Sequence, residues 1–324
     1  MHPYPLIHLL ADGQLHSGTE LAERLGVTRT AVWKQLRGLE EIGLDVESVR
    51  GKGYRLAEPL DLLSRESIEP ALAGLKPQPE LALEPVVEST NTLLMGHSGY
   101  SGVPRVCLAE QQLQGRGRRG RGWVSPFARN LYLSVGVETD AGPAAVQGVT
   151  LRAGLGAVRA LAGLGIEGLG IKWPNDLWLN GRKVAGILTE LQGSAQDELR
   201  LVIGLGLNVY MTESETAIDQ PWTSLAKEGQ VPEGGRNRLA VALIEGILAS
   251  VAGLGFGPDP AVPAEWAHYD VLRGRQVAVR GRDCRGIGDG IDASGQLRLR
   301  TADGEVILLN AGEVSLEVPI DSAG

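Results

Sequence analysis

The sequence predicts an α+β protein in three parts: a winged helix-turn-helix, a central mixed α/β domain and a small SH3-like β-barrel. Three observations carry that prediction. Two short, capped apolar periods joined by a glycine turn stand near the start of the chain and lead into a hairpin with a basic tip. Strand-like and helix-like periods alternate from about residue 64 to about residue 270. After residue 271 only short strands separated by glycine turns remain. The expected divisions are therefore 1–64, 65–270 and 271–324, a reasonable partition of 324 residues at about 150 per domain with small flanking units.

In the first unit, the apolar run at residues 6–10 reads as a helix that stops at Asp12 and Gly13. Ser17 is placed to cap a second helix, with Glu20 at the capping-box position, Leu21 and Leu25 facing inward and Gly26 as the stop. Thr28 caps a third. There Val32, Leu36 and Leu39 fall at i, i+4 and i+7 and form a buried face, while Arg29, Thr30, Trp33, Lys34 and Arg37 point elsewhere. Gly43 ends it, and residues 44–49 and 54–56 flank the tip Arg50-Gly51-Lys52-Gly53 as a two-stranded wing. Residues 1–57 hold seven Lys/Arg and seven Asp/Glu, so their net charge is zero. Bulk attraction to DNA is excluded; Arg29, Lys34, Arg37 and Lys52 suit specific docking of a dimer, and a protein-interaction module is the alternative use of such a fold.

Composition sets further limits. An apolar fraction of 43% with 22% charged residues fits a folded globular chain, and a net charge of -8 leaves nucleic-acid contact to a local cluster. The long apolar stretch at 239–257 carries Glu245 and sets Leu239, Leu243, Ile247, Leu248, Val251 and Leu254 on one stripe, which is an amphipathic helix rather than a membrane span. The start MHPYPLIHLLADG lacks a basic leader, so the expected location is the cytoplasm. Cys107 and Cys284 stand apart, outside any CxxC or His-rich cluster, and read as buried thiols.

Between these units, residues 57–63 and the proline-dotted KPQPELALEP read as linker and domain entry. A strand at 131–137, a helix at 149–164, strands over 170–191 around a turn at Asn180-Gly181 and a strand at 199–209 follow. The chemistry concentrates in two segments. Gly115-Arg116-Gly117-Arg118-Arg119-Gly120-Arg121-Gly122-Trp123 puts four arginines in a loop too rich in glycine and like charge for a regular element, with guanidinium forks suited to carboxylate or phosphate. Such a run also serves as a nucleic-acid or targeting patch; its place between apolar strands favours an internal ligand loop. In Lys172-Trp173-Pro174-Asn175-Asp176 and Lys183-Val184-Ala185-Gly186, two lysines flank a turn and a hairpin, and Gly186 interrupts a strand where a ligand or another backbone comes close. Gly204-Leu205-Gly206-Leu207-Asn208 repeats that device, and Ser89-Thr90-Asn91 opens a helix, where capping alone would account for it.

Taken together, Ser89-Thr90-Asn91, Gln112 with GRGRRGRGW, KWPNDLWLNGRKVAGIL and GLGLN resemble the biotin protein ligases in order and spacing. The resemblance extends to the winged helix and the small barrel, as in the bifunctional bacterial ligases that also repress biotin synthesis genes. It implies activation of biotin by ATP to biotinyl-5'-AMP and transfer to a lysine of a biotin carboxyl carrier domain. On that resemblance Lys183, Arg118 and Arg116 are catalytic. Ser89, Thr90, Asn91, Gln112, Gly115, Arg116, Gly117, Arg118, Lys183, Gly186, Gly204 and Gly206 bind biotin. Arg118, Arg119, Arg121, Lys172, Asn175, Asn208 and Trp222 bind ATP, with Trp222 stacking on adenine. Arg29, Thr30, Trp33, Lys34, Arg37 and Lys52 contact operator DNA. Mg2+ is implied by the triphosphate, with Asp176 as candidate ligand, and a homodimer is implied for the adenylate-bound state. A ligand-sensing regulator without activity is the rival; the complete arginine loop together with Lys183 favours the enzyme, since a sensor needs no charges to stabilise adenylation. Lipoate-transferring enzymes of related fold lack that loop.

Overall fold

The structure is a computed structural model that describes residues 4–97, 100–139, 145–193, 199–213, 218, 220–252, 260–279, 284–311 and 316–317. Its first unit comprises α1 (Tyr4–Leu10), α2 (Gly18–Leu25), α3 (Arg29–Glu41), β1 (Val46–Val49) and β2 (Gly53–Leu56), the two strands paired antiparallel. Ser17 Oγ accepts from the Glu20 N–H and Thr28 Oγ1 from the Ala31 N–H, satisfying amides that a helix start leaves open. The Glu20 carboxylate turns to His16 Nδ1, 3.3 Å away, rather than closing a capping box. Leu6, Ile7, Leu10, Leu21, Val32, Leu36 and Leu39 form the core of this unit. Phe127 and Ala128, from the central domain, complete it: Phe127 is 2% exposed and meets the Tyr4 ring edge-on at 6.5 Å.

The expected linker is in fact fastened down. Asp61 Oδ2 accepts from the Arg236 N–H at 2.6 Å and from the Tyr210 hydroxyl at 3.2 Å, and the Leu63 N–H donates to Glu110 Oε1 at 2.7 Å. Glu110 and Arg236 pair at 2.7 Å with both side chains fully buried. A short helix, α4 (Arg65–Ile68), and a 3-10 turn at Ala71–Gly74 lead to β3 (Glu80–Val87), which takes in Pro85 of the proline-dotted stretch. The sheet tolerates a residue without an N–H there because β3 is an edge strand; its pairing with the neighbouring strand resumes at Val86.

The central domain continues with α5 (Thr90–Met95), β4 (Arg105–Gln112), β5 (Leu131–Thr139), α6 (Ala145–Gly163), β6 (Leu169–Lys172), β7 (Asp176–Leu179), β8 (Arg182–Gln192), β9 (Leu199–Leu207), α7 (Gly235–Val251) and α8 (Ala261–Tyr269). Among the described residues its sheet has the order β3-β4-β5-β9-β8-β7-β6, antiparallel except for the pair β3 and β4. Asn180 and Gly181 both have positive φ, 49° and 77°, the type I′ hairpin that their identity predicts. Helix α7 buries Leu239, Leu243 and Ile247 as expected and Ala240 and Ile244 as well, because it packs on both the sheet and α6. Gly246 makes that second contact possible: a Cβ there would stand 2.7 Å from the Gly156 carbonyl oxygen. Leu254, expected to finish the helix stripe, lies outside the described residues.

Strands β10 (Gln276–Val279), β11 (Arg285–Ile291), β12 (Leu297–Arg300), β13 (Val306–Leu309) and β14 (Leu316–Glu317) make a small antiparallel sheet in the order β13-β12-β11-β10-β14. Val277, Leu297, Leu299 and Leu309 merge with the central core, and Trp173 Nε1 donates to the Gly295 carbonyl at 3.0 Å. Cys107 is fully buried as expected; Cys284 is only half-buried.

Candidate active site

A cavity of about 500 Å³ opens where the arginine loop crosses β7, β8 and β9. It gathers segments far apart in sequence: the start of α5, the end of β4, the loop, the 172–176 turn, Lys183 and Gly186 of β8, and Gly204 and Gly206 of β9. Among the described residues its wall holds six cations, Arg116, Arg118, Arg119, Arg121, Lys172 and Lys183, against one carboxylate, Asp176. Ser89, Thr90, Asn91 and Gln112 give it a polar, uncharged end, which Arg116 adjoins through Glu190 and Thr92. One concavity thus offers strong anion attraction together with uncharged hydrogen-bonding groups.

The arginine loop has a hairpin of its own, not the irregular course that its composition predicts. The Trp123 N–H donates to Gly115 O and the Gly117 N–H to Arg121 O, each at 2.7 Å, and Arg119 (φ 58°) with Gly120 (φ 71°) makes the tip. Gly115 is a matter of space: a Cβ would fall 2.5 Å from Trp123 O, so this residue shapes the loop and does not line the cavity. Arg118 reaches in two directions. Its Nη1 donates to Asn175 Oδ1 at 3.1 Å, its Nη2 to the Ala311 carbonyl of the C-terminal sheet, and burial, helped by Arg119 and Arg121 and opposed by Asp176, lowers its pKa.

The strand glycines also make room for side chains of other segments. A Cβ on Gly206 would stand 2.4 Å from Trp123 Cε2 and one on Gly186 3.1 Å from Trp123 Cζ3, so both make room for the indole. A Cβ on Gly204 would be 2.3 Å from Asn91 Oδ1. The bare backbone of these strands therefore receives Trp123 and Asn91, while the glycines still line the cavity.

Lys183 sits 2.9 Å from Asp176 and 5.4 Å above the Trp123 ring. Lys172 lies 5.1 Å from the centroid of Trp178, and burial, with Lys183 and Arg121 adding and Asp176 opposing, pushes its amine below the ordinary lysine range. At the neutral end, Ser89 is buried at the helix start but makes no capping bond, which leaves its hydroxyl for the cavity. Thr90 donates its N–H to Gln112 Oε1 at 2.9 Å. Asn91 gives its amide to Glu190 and to Leu188 O, and accepts from Ser134. Arg116 bonds to Glu190 at 2.9 Å and to Thr92 Oγ1 at 3.1 Å.

Two residues expected on the nucleotide side lie behind the wall. Asn208 is buried and bonds to Thr223 O, and Trp222 is held beside Lys183 through backbone pairing with Lys227 above its ring, while its neighbours Gln220 and Pro221 reach the cavity. Conversely, Glu190, Ser134 and Trp178 escaped sequence reasoning. Their signal was present: Glu190 is two residues beyond Leu188 and four beyond Gly186 on one strand, hence on one face, and Ser134 interrupts the apolar strand LYLSVGV. In the first unit Arg29, Thr30, Trp33, Lys34, Arg37 and Lys52 are all exposed, and the Arg37 guanidinium lies 5.2 Å from the Trp33 ring centroid.

Comparison with known proteins identifies the family of each part of the chain. Residues 83–208 match the biotin/lipoate A/B protein ligase family, residues 6–55 an HTH domain and residues 274–317 the biotin protein ligase C terminal domain. The chain is 40% identical to the bifunctional ligase/repressor BirA of Escherichia coli over 319 residues, 97% of either chain. It is 34% identical to the biotin-[acetyl-CoA-carboxylase] ligase of Mycobacterium tuberculosis, covering 80% of this chain and 97% of that one. A solved biotin protein ligase from Aquifex aeolicus in complex with biotin and ATP superposes with a TM-score of 0.62 at 25% identity, over 74% of this chain and 99% of the other. With all three segments matched in order and identity sustained across nearly the whole length, the chain belongs to the biotin/lipoate A/B protein ligase family, in its branch of bifunctional ligase/repressors.

Proposed function

We propose that this protein is a biotin protein ligase that makes biotinyl-5'-AMP from biotin and ATP, transfers biotin to a lysine of a biotin carboxyl carrier domain, and represses biotin synthesis genes by binding operator DNA. The observation that carries the ligase reading is the cavity that sets, among the described residues, six cations and one carboxylate beside a polar uncharged end. Adenylation brings two anions together. A biotin carboxylate oxygen attacks the α-phosphorus, and the bond to pyrophosphate breaks. Cationic donors fixed in place before reaction lower that barrier most. Lys183 and Arg118 are assigned to the carboxylate and α-phosphate, and Arg119, Arg121 and Lys172 to the nucleotide. Ser89, Thr90 and Gln112 suit the uncharged ureido ring. Arg116 and Asn91 face each other through Glu190 and act as supports. In the second step an unprotonated acceptor amine attacks the acyl carbon, AMP leaves, and the amine releases a proton; no protein nucleophile takes part.

Mg2+ fits as a companion of ATP. Among the described residues no group of three or more His, Cys, Asp or Glu side chains makes a metal cage, whereas Mg2+ is ordinarily held by one or two carboxylates with substrate phosphates. Asp176, the lone carboxylate of the wall among the described residues, would hold it, and the ion would neutralise phosphate charge.

The three parts are assigned to residues 1–64, 65–270 and 271–324. Among the described residues no helix is long and apolar enough to cross a membrane, and the cytoplasm is the proposed location. A homodimer is proposed for the adenylate-bound state, presenting two copies of the exposed α3 face to two half-sites. Incubating the pure protein with biotin, ATP and a carboxylase carrier domain should raise the carrier mass by one biotinyl group; an unmodified carrier would overturn the reading.

A further inference from the structure

The cavity wall does not include Glu190, yet two of its supports meet on that side chain. Glu190 Oε2 accepts from Asn91 Nδ2 at 2.7 Å and from Arg116 Nη2 at 2.9 Å. One carboxylate oxygen on β8 thus ties the first turn of α5 to the root of the arginine loop. Arg116 is tied again to α5 through Thr92 Oγ1 at 3.1 Å. We propose that Glu190 is a positioning residue for biotin capture, acting through Asn91 and Arg116 on the neutral end of the cavity. The proposal rests on the biotin ligase reading.

An ionised carboxylate only accepts, so it fixes which way the Asn91 amide faces: Nδ2 towards Glu190 and the Leu188 carbonyl, Oδ1 towards Ser134. An amide oxygen also only accepts, so the Ser134 hydroxyl must give its single proton to Asn91 Oδ1, at 2.6 Å. The Ser134 oxygen is then an acceptor for its other neighbour, Thr90 Oγ1, at 2.7 Å. Thr90 thus spends its one hydroxyl proton on Ser134 and meets Gln112 Oε1 through its N–H at 2.9 Å; both residues are among the groups assigned to the ureido ring. The polarity of that end is therefore set from Glu190 inward.

This chain leaves little room to reorganise. Asn91, Thr90 and Ser134 are buried, and Asn91 lies directly on the bare backbone of Gly204. By contrast the Arg116 and Glu190 side chains are 43% and 26% exposed, so their mutual attraction is screened and contributes mainly as an anchor of the loop. Glu190 makes no contact with Lys183 or Arg118 among the described hydrogen bonds and ion pairs, which places its effect on biotin affinity rather than on the chemical step.

The test is pyrophosphate release as a function of biotin at saturating ATP, for wild type, Glu190→Ala, Glu190→Gln, Arg116→Met and the Glu190→Ala/Arg116→Met double variant. Biotin-dependent release by the wild type secures the ligase reading before any variant is read; its absence sinks that reading, and calorimetric biotin titrations of wild type and Glu190→Gln then decide the Glu190 proposal by themselves. The expected result is a biotin KM raised about tenfold in Glu190→Ala, with kcat and the ATP KM within about twofold. Glu190→Gln, of the same shape but able to donate, loses the fixed orientation and shows a rise too. Adding Arg116→Met costs Glu190→Ala less than it costs the wild type, since the arginine has by then lost its carboxylate anchor and keeps only Thr92. An unchanged biotin KM, a fall confined to kcat, or losses in the double variant that simply multiply overturns the proposal.

Discussion

Lys183 holds its ammonium between the Asp176 carboxylate and the Trp123 face, a position that fixes the charge before any substrate arrives. Lys183→Ala should leave the fold intact and cut pyrophosphate release at least tenfold, since a charge-assisted contact contributes roughly 1.5–3 kcal/mol and more at a developing charge. Wild-type release by the folded variant would contradict the assignment. A second single-residue effect lies in the winged helix. Burial disfavours a charged His16, yet its hydrogen bonds to Asp12 and Glu20 outweigh that and raise its pKa. A raised folded-state value means that this stabilisation is complete below the ordinary histidine range near 6.5 and is lost as pH rises through the folded value. Thermal unfolding followed from pH 5.5 to 8.5 should show wild type ahead of His16→Gln at the acid end, with the gap closing towards the alkaline end; a gap independent of pH would contradict it. Lys183 was legible in the sequence because a lysine beside a strand glycine is unusual. His16 was not, because its partners are brought in only by the turn between α1 and α2.

At the level of elements, β9 and the arginine loop form one unit, since Gly206 yields its side-chain space to Trp123. Gly206→Ala should displace the indole and the hairpin behind it, and so abolish biotin-dependent pyrophosphate release in a protein that still unfolds cooperatively. Undiminished activity would show that the indole finds room elsewhere. Gly38 in α3 is the counter-case. Nothing lies within 4 Å of a Cβ placed there, so Gly38→Ala should stabilise the helix by about 0.5–1 kcal/mol, measured by urea unfolding. Caps, the type I′ turn and the buried stripe of α3 could be read from the sequence because each depends on neighbours a few residues away. The strand course of residues 80–87 could not, since whether a proline-bearing segment is strand or linker depends on a place at the sheet edge. The glycines of β8 and β9 were recognised as sites of close approach, but what approaches them is Trp123 at Gly186 and Gly206 and Asn91 at Gly204, side chains from other segments that no local pattern reveals.

For the whole molecule, occupancy of the cavity by the adenylate is expected to promote dimerisation and thereby operator binding. The winged helix has no net charge, so two copies tied together gain what one lacks, and dimerisation must tighten adenylate binding by the same factor. Sedimentation with and without biotin plus ATP, beside an operator titration at fixed salt, checks this; assembly and DNA affinity that ignore the adenylate would leave the N-terminal unit some other use. The three-part plan was legible from periodicity and turn residues, whereas the joining of the parts was not, because it rests on Asp61, Glu110, Arg236 and Phe127, each meeting partners remote in the chain. Phe127 has a consequence for ancestry. It stands four residues after Trp123 and packs in the cluster built around α1 and its neighbours, so a chain that shed its first sixty residues would strip most of that cover from an aromatic ring, forfeiting up to roughly 1.5–3 kcal/mol and gaining a sticky face. A ligase descended from this one by loss of the winged helix would therefore need a polar replacement at this position before, or together with, the deletion.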